Sequence, residues 1–157
     1  GSEDRHRTIN QRNALRAIIF KDDKLLMIKT NKGDYKFPGG GIESNESNFE
    51  ALSREISEET GYTLISMGEK LVEVIECHED KYDKKSIFKM ISLYYECKVS
   101  KEPQVTSLEP YEARLNFKAE WVDIFQAITT NSFLLHTQSH NINAWVYRET
   151  EVLKSLT

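Results

Sequence analysis

Between Gly40 and Tyr62 the chain reads GGIESNESNFEALSREISEETGY, with a glycine-rich entry, an amphipathic middle and a glycine exit. Gly39, Gly40 and Gly41 follow Pro38 and read as a loop, because glycine admits positive φ and lets backbone approach a ligand closely. Ser44, Asn45 and Ser47 offer N-caps for a helix. Phe49, Leu52 and Ile56 recur at helical spacing and are expected to face a core. Gly61 fits the left-handed position that ends a helix. Whatever the chain folds into must bury that stripe and leave the neighbouring face to three acids. Glu55, Glu58 and Glu59 fall within an arc of roughly 100° beside the apolar stripe, at the edge of the core.

Like charges at this spacing cost roughly 0.2–0.5 kcal/mol per pair on a bare helix, so a positive partner is expected. Hard oxygen ligands with room for water suit Mg²⁺, with Mn²⁺ as a substitute. Arg54 lies one turn after Glu50 and two after Glu46, placed to form an ion pair and hold the Glu55 side of the helix. An isolated Glu-x-x-Glu-Glu is most often a solvated acidic face. Here it sits inside a longer pattern: Gly40, Glu46, Arg54, Glu55, Ile56, Glu58, Glu59, Gly61 and Tyr62 occupy every fixed position of Gly-x5-Glu-x7-Arg-Glu-hydrophobic-x-Glu-Glu-x-Gly-hydrophobic. That pattern resembles the Nudix box, and the chain is similar to the small MutT-like group of Nudix hydrolases.

The resemblance implies an α/β/α sandwich, a mixed β-sheet between α-helices with the box as loop–helix–loop at the sheet's edge. It also implies hydrolysis of a nucleoside diphosphate linked to another group, with Mg²⁺ as cofactor. Glu58 and Glu59 match the family's metal ligands, Glu55 its further ligand or general base, and Arg54 its orienting arginine. The carbonyl of Gly39 or Gly40 is a possible further ligand, and Glu46 is expected to close the loop. Many members recruit another carboxylate from outside the box. Glu112, in an irregular stretch before the last strand, is the favoured candidate, with Glu120 as the alternative. For substrate, Arg16 stands out as a charge inside an apolar strand, and Phe37 and Gly40 are further candidates. Tyr35, Tyr94, Tyr95 and Trp121 are further aromatic candidates, although an aromatic in a strand is usually core. His78, His136 and His140 read as surface or loop residues.

The rest of the chain is consistent with one mixed α/β domain over residues 13–157, preceded by a polar arm over residues 1–12. Gly1-Ser2 resembles a cloning remnant, so the native start is expected to be lost. Residues 13–20 and 25–28 read as a hairpin around Lys21-Asp22-Asp23-Lys24, and 35–37 as a short strand. Residues 71–77, 87–99 and 117–122 read as strands. Asp123 caps a short helix through Thr129, residues 131–139 are ambiguous, and 141–156 form the last helix with Ile142, Trp145, Val146, Val152, Leu153 and Leu156 on one stripe.

At 157 residues the chain can bury a core without staples. A net charge of −4 argues against a nucleic-acid polymer or a membrane surface as partner. Cys77 and Cys97 are expected to be reduced packing thiols in a cytoplasmic protein. A homodimer is the common symmetric assembly, and nothing marks its interface. The accessory signatures of the ADP-ribose, dinucleoside-polyphosphate, NADH and coenzyme A subgroups are missing around the box. What remains is the general small MutT-like group, and the resemblance to it implies a (deoxy)nucleoside triphosphate or modified nucleotide as the leading substrate. Nucleotide sugars or dinucleotides are the alternative, and a non-catalytic nucleotide-binding module is disfavoured by the retained carboxylates.

Overall fold

The computed structural model describes residues 8–80, 82, 85–104, 117–138 and 140–157. Glu112, the favoured extra carboxylate, lies outside them, as do residues 1–7. In order the elements are β1 (Thr8–Ile18), β2 (Phe20–Lys21), β3 (Lys24–Lys29), β4 (Tyr35–Lys36) and β5 (Gly39–Gly41). They continue with α1 (Asn48–Thr60), β6 (Leu64–Glu79), β7 (Ser86–Val99), β8 (Lys118–Asp123), α2 (Ile124–Thr137) and α3 (Val146–Ser155).

One sheet runs β5-β1-β7-β6, with β1 and β7 parallel and the other pairs antiparallel. In the second, β3 pairs with β2, β4 and β8. Residues 14–19 read as an unbroken buried run because both faces of β1 and its exit are covered. Leu15, Ala17 and Ile19 pack with Leu52 and Ile56 of α1. Ile18 packs on the opposite side with Phe37, Tyr94 and Leu153 of α3. A strand layer between helices is the α/β arrangement expected.

Several local readings change. Residues 8–12, expected as an arm, are the first half of β1 and pair with residues 86–90 of β7. The hairpin is confined to β2 and β3, where Asp22 and Asp23 take φ of 51° and 65°, the left-handed pair that a tight two-residue turn needs. β1 itself belongs to the β5-β1-β7-β6 sheet and takes no part in the hairpin. The glycine stretch is a strand and not a loop: β5 pairs Gly39 with Arg16, Gly40 with Leu15 and Gly41 with Ala14.

α1 starts at Ser47, whose side chain accepts from Glu50 N while Glu50 accepts from Ser47 N, and ends at Gly61 with φ 79°. Leu52 and Ile56 are buried, but Phe49 is 42% exposed, because the stripe is centred on Ala51, Leu52 and Ile56 and the first turn overhangs the sheet. α2 continues through the ambiguous stretch because Asn131 is buried and bonds the Tyr35 backbone at both its N–H and its carbonyl. α3 begins later than expected, since Asn143 and Trp145 donate to the buried Asp34 carboxylate instead of opening a helix. Cys97 is buried as expected, and its thiol is pushed up to about 12 by burial. Cys77 is exposed and so is not a packing thiol. Among the described residues no helix is long and apolar enough to cross a membrane.

Candidate active site

Arg54 organises the acidic end of α1. Its Nε and Nη2 donate to the two Glu46 oxygens at 2.7 and 2.9 Å, a bidentate fork. Its Nη1 donates to Glu55 Oε1 at 2.9 Å and lies 3.7 Å from Glu58 Oε2, and Nη2 reaches the Gly41 carbonyl at 3.3 Å. The Arg54 bonds, followed by the Glu43 backbone N–H, hold the Glu46 carboxyl down at about 2. Glu46 therefore closes the loop onto the helix, and Arg54 fixes one face of Glu55.

Glu59 is set apart from the other acids. Its Oε1 accepts from Gly39 N at 3.2 Å, and its Oε2 is buried with no hydrogen-bond partner among the described residues. Burial pushes its carboxyl well above the ordinary range; the nearby Lys36 ammonium opposes that shift and the adjacent Glu55 adds to it. Gly40 lies against Glu55, and a Cβ there would sit 2.7 Å from Glu55 Oε1. Among the described residues no three acidic, imidazole or thiol groups already converge as a metal cage. Two features nonetheless fit a hard cation: the orphaned Glu59 oxygen beside a second carboxylate, and the all-oxygen chemistry of the donors. A cation there would remove both the orphan and the repulsion.

Across β5 from these acids opens a cavity of about 380 Å³. Gly39 and Gly40 line it together with Arg16 and Lys36, so the glycine strand is the seam between the α1 carboxylates and the cavity. The far wall carries Glu76, His78, Phe88 and Met90, and the N-terminal end of α3 contributes Trp145 and Arg148. Trp145 is fixed by its Nε1–H, which donates to Asp34 Oδ2 at 2.9 Å, and Lys36 Nζ lies 5.0 Å from its ring centroid. Arg148 donates from Nε to Tyr94 OH at 3.1 Å and from Nη1 to Glu76 Oε1 at 3.0 Å. Beneath it the buried Glu149 accepts from Tyr94 OH at 2.5 Å and from Phe37 N at 3.1 Å, tying α3 to the segment that leads into β5.

Of the residues singled out in the sequence, Arg54, Glu55, Glu58, Glu59, Gly39, Gly40 and Arg16 come together around this seam. Phe37 does not reach the cavity: it is fully buried, edge-on to Tyr94 at 5.4 Å, in the core beneath it. Tyr35 and Tyr94 are buried too, and Trp121 packs against Tyr62. Glu120 accepts from Tyr35 OH at 3.1 Å, on the strand face opposite Trp121. The residues that sequence reading missed are Lys36, Glu76, His78, Trp145 and Arg148. One signal for them existed. Glu149 falls three residues after Val146 on the apolar stripe of the last helix, and an acid at a core position marks a buried polar partner.

Comparison with known proteins places these features in context. The family described as NUDIX domain matches residues 10–146. An ADP-ribose pyrophosphatase of Methanocaldococcus jannaschii is 48% identical over 52 residues, 31% of this chain and 31% of that protein. A probable DHNTP pyrophosphohydrolase of Lactococcus lactis subsp. cremoris is 39% identical over 74 residues, 44% of each. The matches thus span less than half the length of these two relatives. A NUDIX hydrolase structure from Nitrosomonas europaea superposes with a TM-score of 0.56 over 93% of this chain and 90% of its own, at 18% identity, which bears on the fold.

Proposed function

The chain belongs to the Nudix family, and on that premise we propose that it is a pyrophosphohydrolase of a nucleoside diphosphate derivative, with a (deoxy)nucleoside triphosphate or modified nucleotide as its leading substrate. The observation that carries this reading is the buried, partnerless Glu59 Oε2 beside Glu55, one strand's width from a cavity lined by Arg16 and Lys36.

Glu55, Glu58 and Glu59 would hold Mg²⁺, or Mn²⁺ in its place, with the Gly39 carbonyl as a further ligand. Bound there, the ion supplies charge neutralisation at the phosphates and a more acidic water. The chain's own groups do the rest. Arg16 and Lys36 bind phosphate oxygens and fix the diphosphate along β5. Arg54 holds Glu55 in place through Oε1, and the Glu55 carboxylate takes the proton from the attacking water. The water oxygen bonds to one phosphorus, the bridging P–O bond breaks, and two phosphate-bearing products leave.

The relatives' names, ADP-ribose pyrophosphatase and DHNTP pyrophosphohydrolase, differ in substrate but share the diphosphate bond, and that shared chemistry supports the reading. The test is Glu58→Gln, which keeps the shape of the side chain and removes its charge. Turnover with saturating Mg²⁺ is expected to fall by at least about 100-fold with little change in melting temperature, the loss associated with disturbing a catalytic metal site. Near wild-type turnover would remove Glu58 from the metal site.

A further inference from the structure

Alternate residues of the β5-β1-β7-β6 sheet share the cavity face, so strand register arranges them in rows. One row joins Gly39, Arg16, Tyr94 and Val72. Another joins Arg12, Met90 and Glu76, and the next joins Asn10, Phe88 and His78. The Arg16 and Glu76 rows are four residues apart, about 13 Å at the usual rise of a strand. The cavity therefore has two ends of different chemistry. At one end Arg16 is only 8% exposed, lines the cavity, and has an Nε with no hydrogen-bond partner among the described residues, which marks a place for an anion. At the other end Glu76 and Arg148 stand side by side, 3.0 Å apart, between Met90 and Phe88 on one strand and Trp145 on the other wall.

We propose that Glu76 and Arg148 select the ring of the substrate, and that the ring carries a 2-amino-4-oxopyrimidine edge, as guanine and pterins do. This rests on the hydrolase reading above. A carboxylate only accepts hydrogen bonds and a guanidinium only donates them. The 2-amino-4-oxo edge presents two N–H donors beside a carbonyl, which is the complement of that pair. Adenine would set a ring-nitrogen lone pair against the carboxylate. Xanthine would set a second carbonyl there, and hypoxanthine lacks the amino donor. Arg148 is held by Tyr94 OH and lies beside the buried Glu149, so its donors are fixed before a ring arrives. Phe88 and Trp145 supply apolar faces for a planar ring.

The experiment is a comparison of kcat/KM for GTP, ITP, XTP, ATP and dihydroneopterin triphosphate on the unmodified protein with Mg²⁺. GTP or the pterin is expected to lead, with ATP and XTP lower by about 10- to 100-fold, the discrimination that hydrogen bonds to charged groups provide. Whichever of the two leads identifies the source of the ring. In Glu76→Gln the ratio of kcat/KM for GTP to that for ATP is expected to fall by about 10- to 100-fold. Both substrates are read on one preparation, so a partial loss of folded protein does not move that ratio. Equal rates for GTP and ATP, or an unchanged ratio in the variant, overturn the proposal. If none of these triphosphates is turned over, the triphosphate part of the hydrolase reading fails. Equilibrium binding of non-hydrolysable GTP and ATP analogues then decides the ring: a guanine preference upholds the pair, and equal affinity overturns it.

Discussion

Gly39 and Gly40 are adjacent and identical in the sequence, yet a methyl group on each meets a different obstacle. At Gly39 it would lie 2.1 Å from the Leu15 carbonyl oxygen, and φ is 144°, so backbone must move. At Gly40 it would meet the Glu55 carboxylate at 2.7 Å, the far end of a flexible side chain. Gly39→Ala is therefore expected to lower unfolding free energy by about 2–4 kcal/mol, the scale of a strained backbone plus a buried clash. Gly40→Ala is expected to stay within about 1 kcal/mol of wild type while turnover falls by about 10- to 100-fold, because Glu55 is displaced from its work. Urea unfolding and turnover on the same preparations check both, and equal stability losses would contradict the distinction. From the sequence the three glycines were one loop. Pairing with β1, which only the folded chain supplies, is what separates their roles. The acids were easier to place, since three carboxylates and their arginine partner lie within two helical turns, where spacing alone fixes who meets whom. Glu112 and Glu120 had no such local constraint, and Glu120 is engaged by a tyrosine far away in the chain.

At the scale of the element, α1 and α3 are anchored by different physics. α1 carries its own signals, a capping box at Ser47 and Glu50 and a left-handed glycine at its end, and both were readable. α3 is docked by a buried acid. Glu149 satisfies Tyr94 OH and Phe37 N and lies 3.6 Å from Arg148 Nε. Glu149→Leu removes the acceptor from those two buried donors and leaves Glu76 alone to face the Arg148 charge. A loss of about 3–5 kcal/mol is expected, as for breaking a buried charged pair, against about 1 kcal/mol for Ser47→Ala. Urea denaturation of the two variants measures the difference, and comparable losses would mean that α3 is held by its apolar stripe alone. The length of α2 and the start of α3 were misread for a related reason. Asn131, Asn143 and Trp145 spend their polar groups on Tyr35 and Asp34, partners that no local pattern announces.

Across the whole molecule, the strand layer separates two cores, and the site forms where that layer is thinnest. β5 is three glycines, so α1 carboxylates on one side and cavity cations on the other approach the same backbone. The mixed α/β class and the acidic end of α1 were legible because both follow from periodicity and short-range spacing, whereas the α/β/α layering came from the resemblance. The cavity was not, since its walls come from β1, β6, β7 and the α3 end, and their register is a property of the assembled sheet. The central claim is that this seam hydrolyses a nucleotide diphosphate bond with a divalent ion. Its most direct measurement is incubation of the protein in ¹⁸O-labelled water with triphosphates, ADP-ribose, nucleotide sugars and dinucleoside polyphosphates, with and without a chelator, followed by mass analysis of products. The account predicts Mg²⁺-dependent turnover of at least one nucleotide, with one ¹⁸O in one phosphate product and none formed under chelation. Folded protein that leaves every compound intact in the presence of Mg²⁺, or turnover that the chelator does not touch, would contradict it.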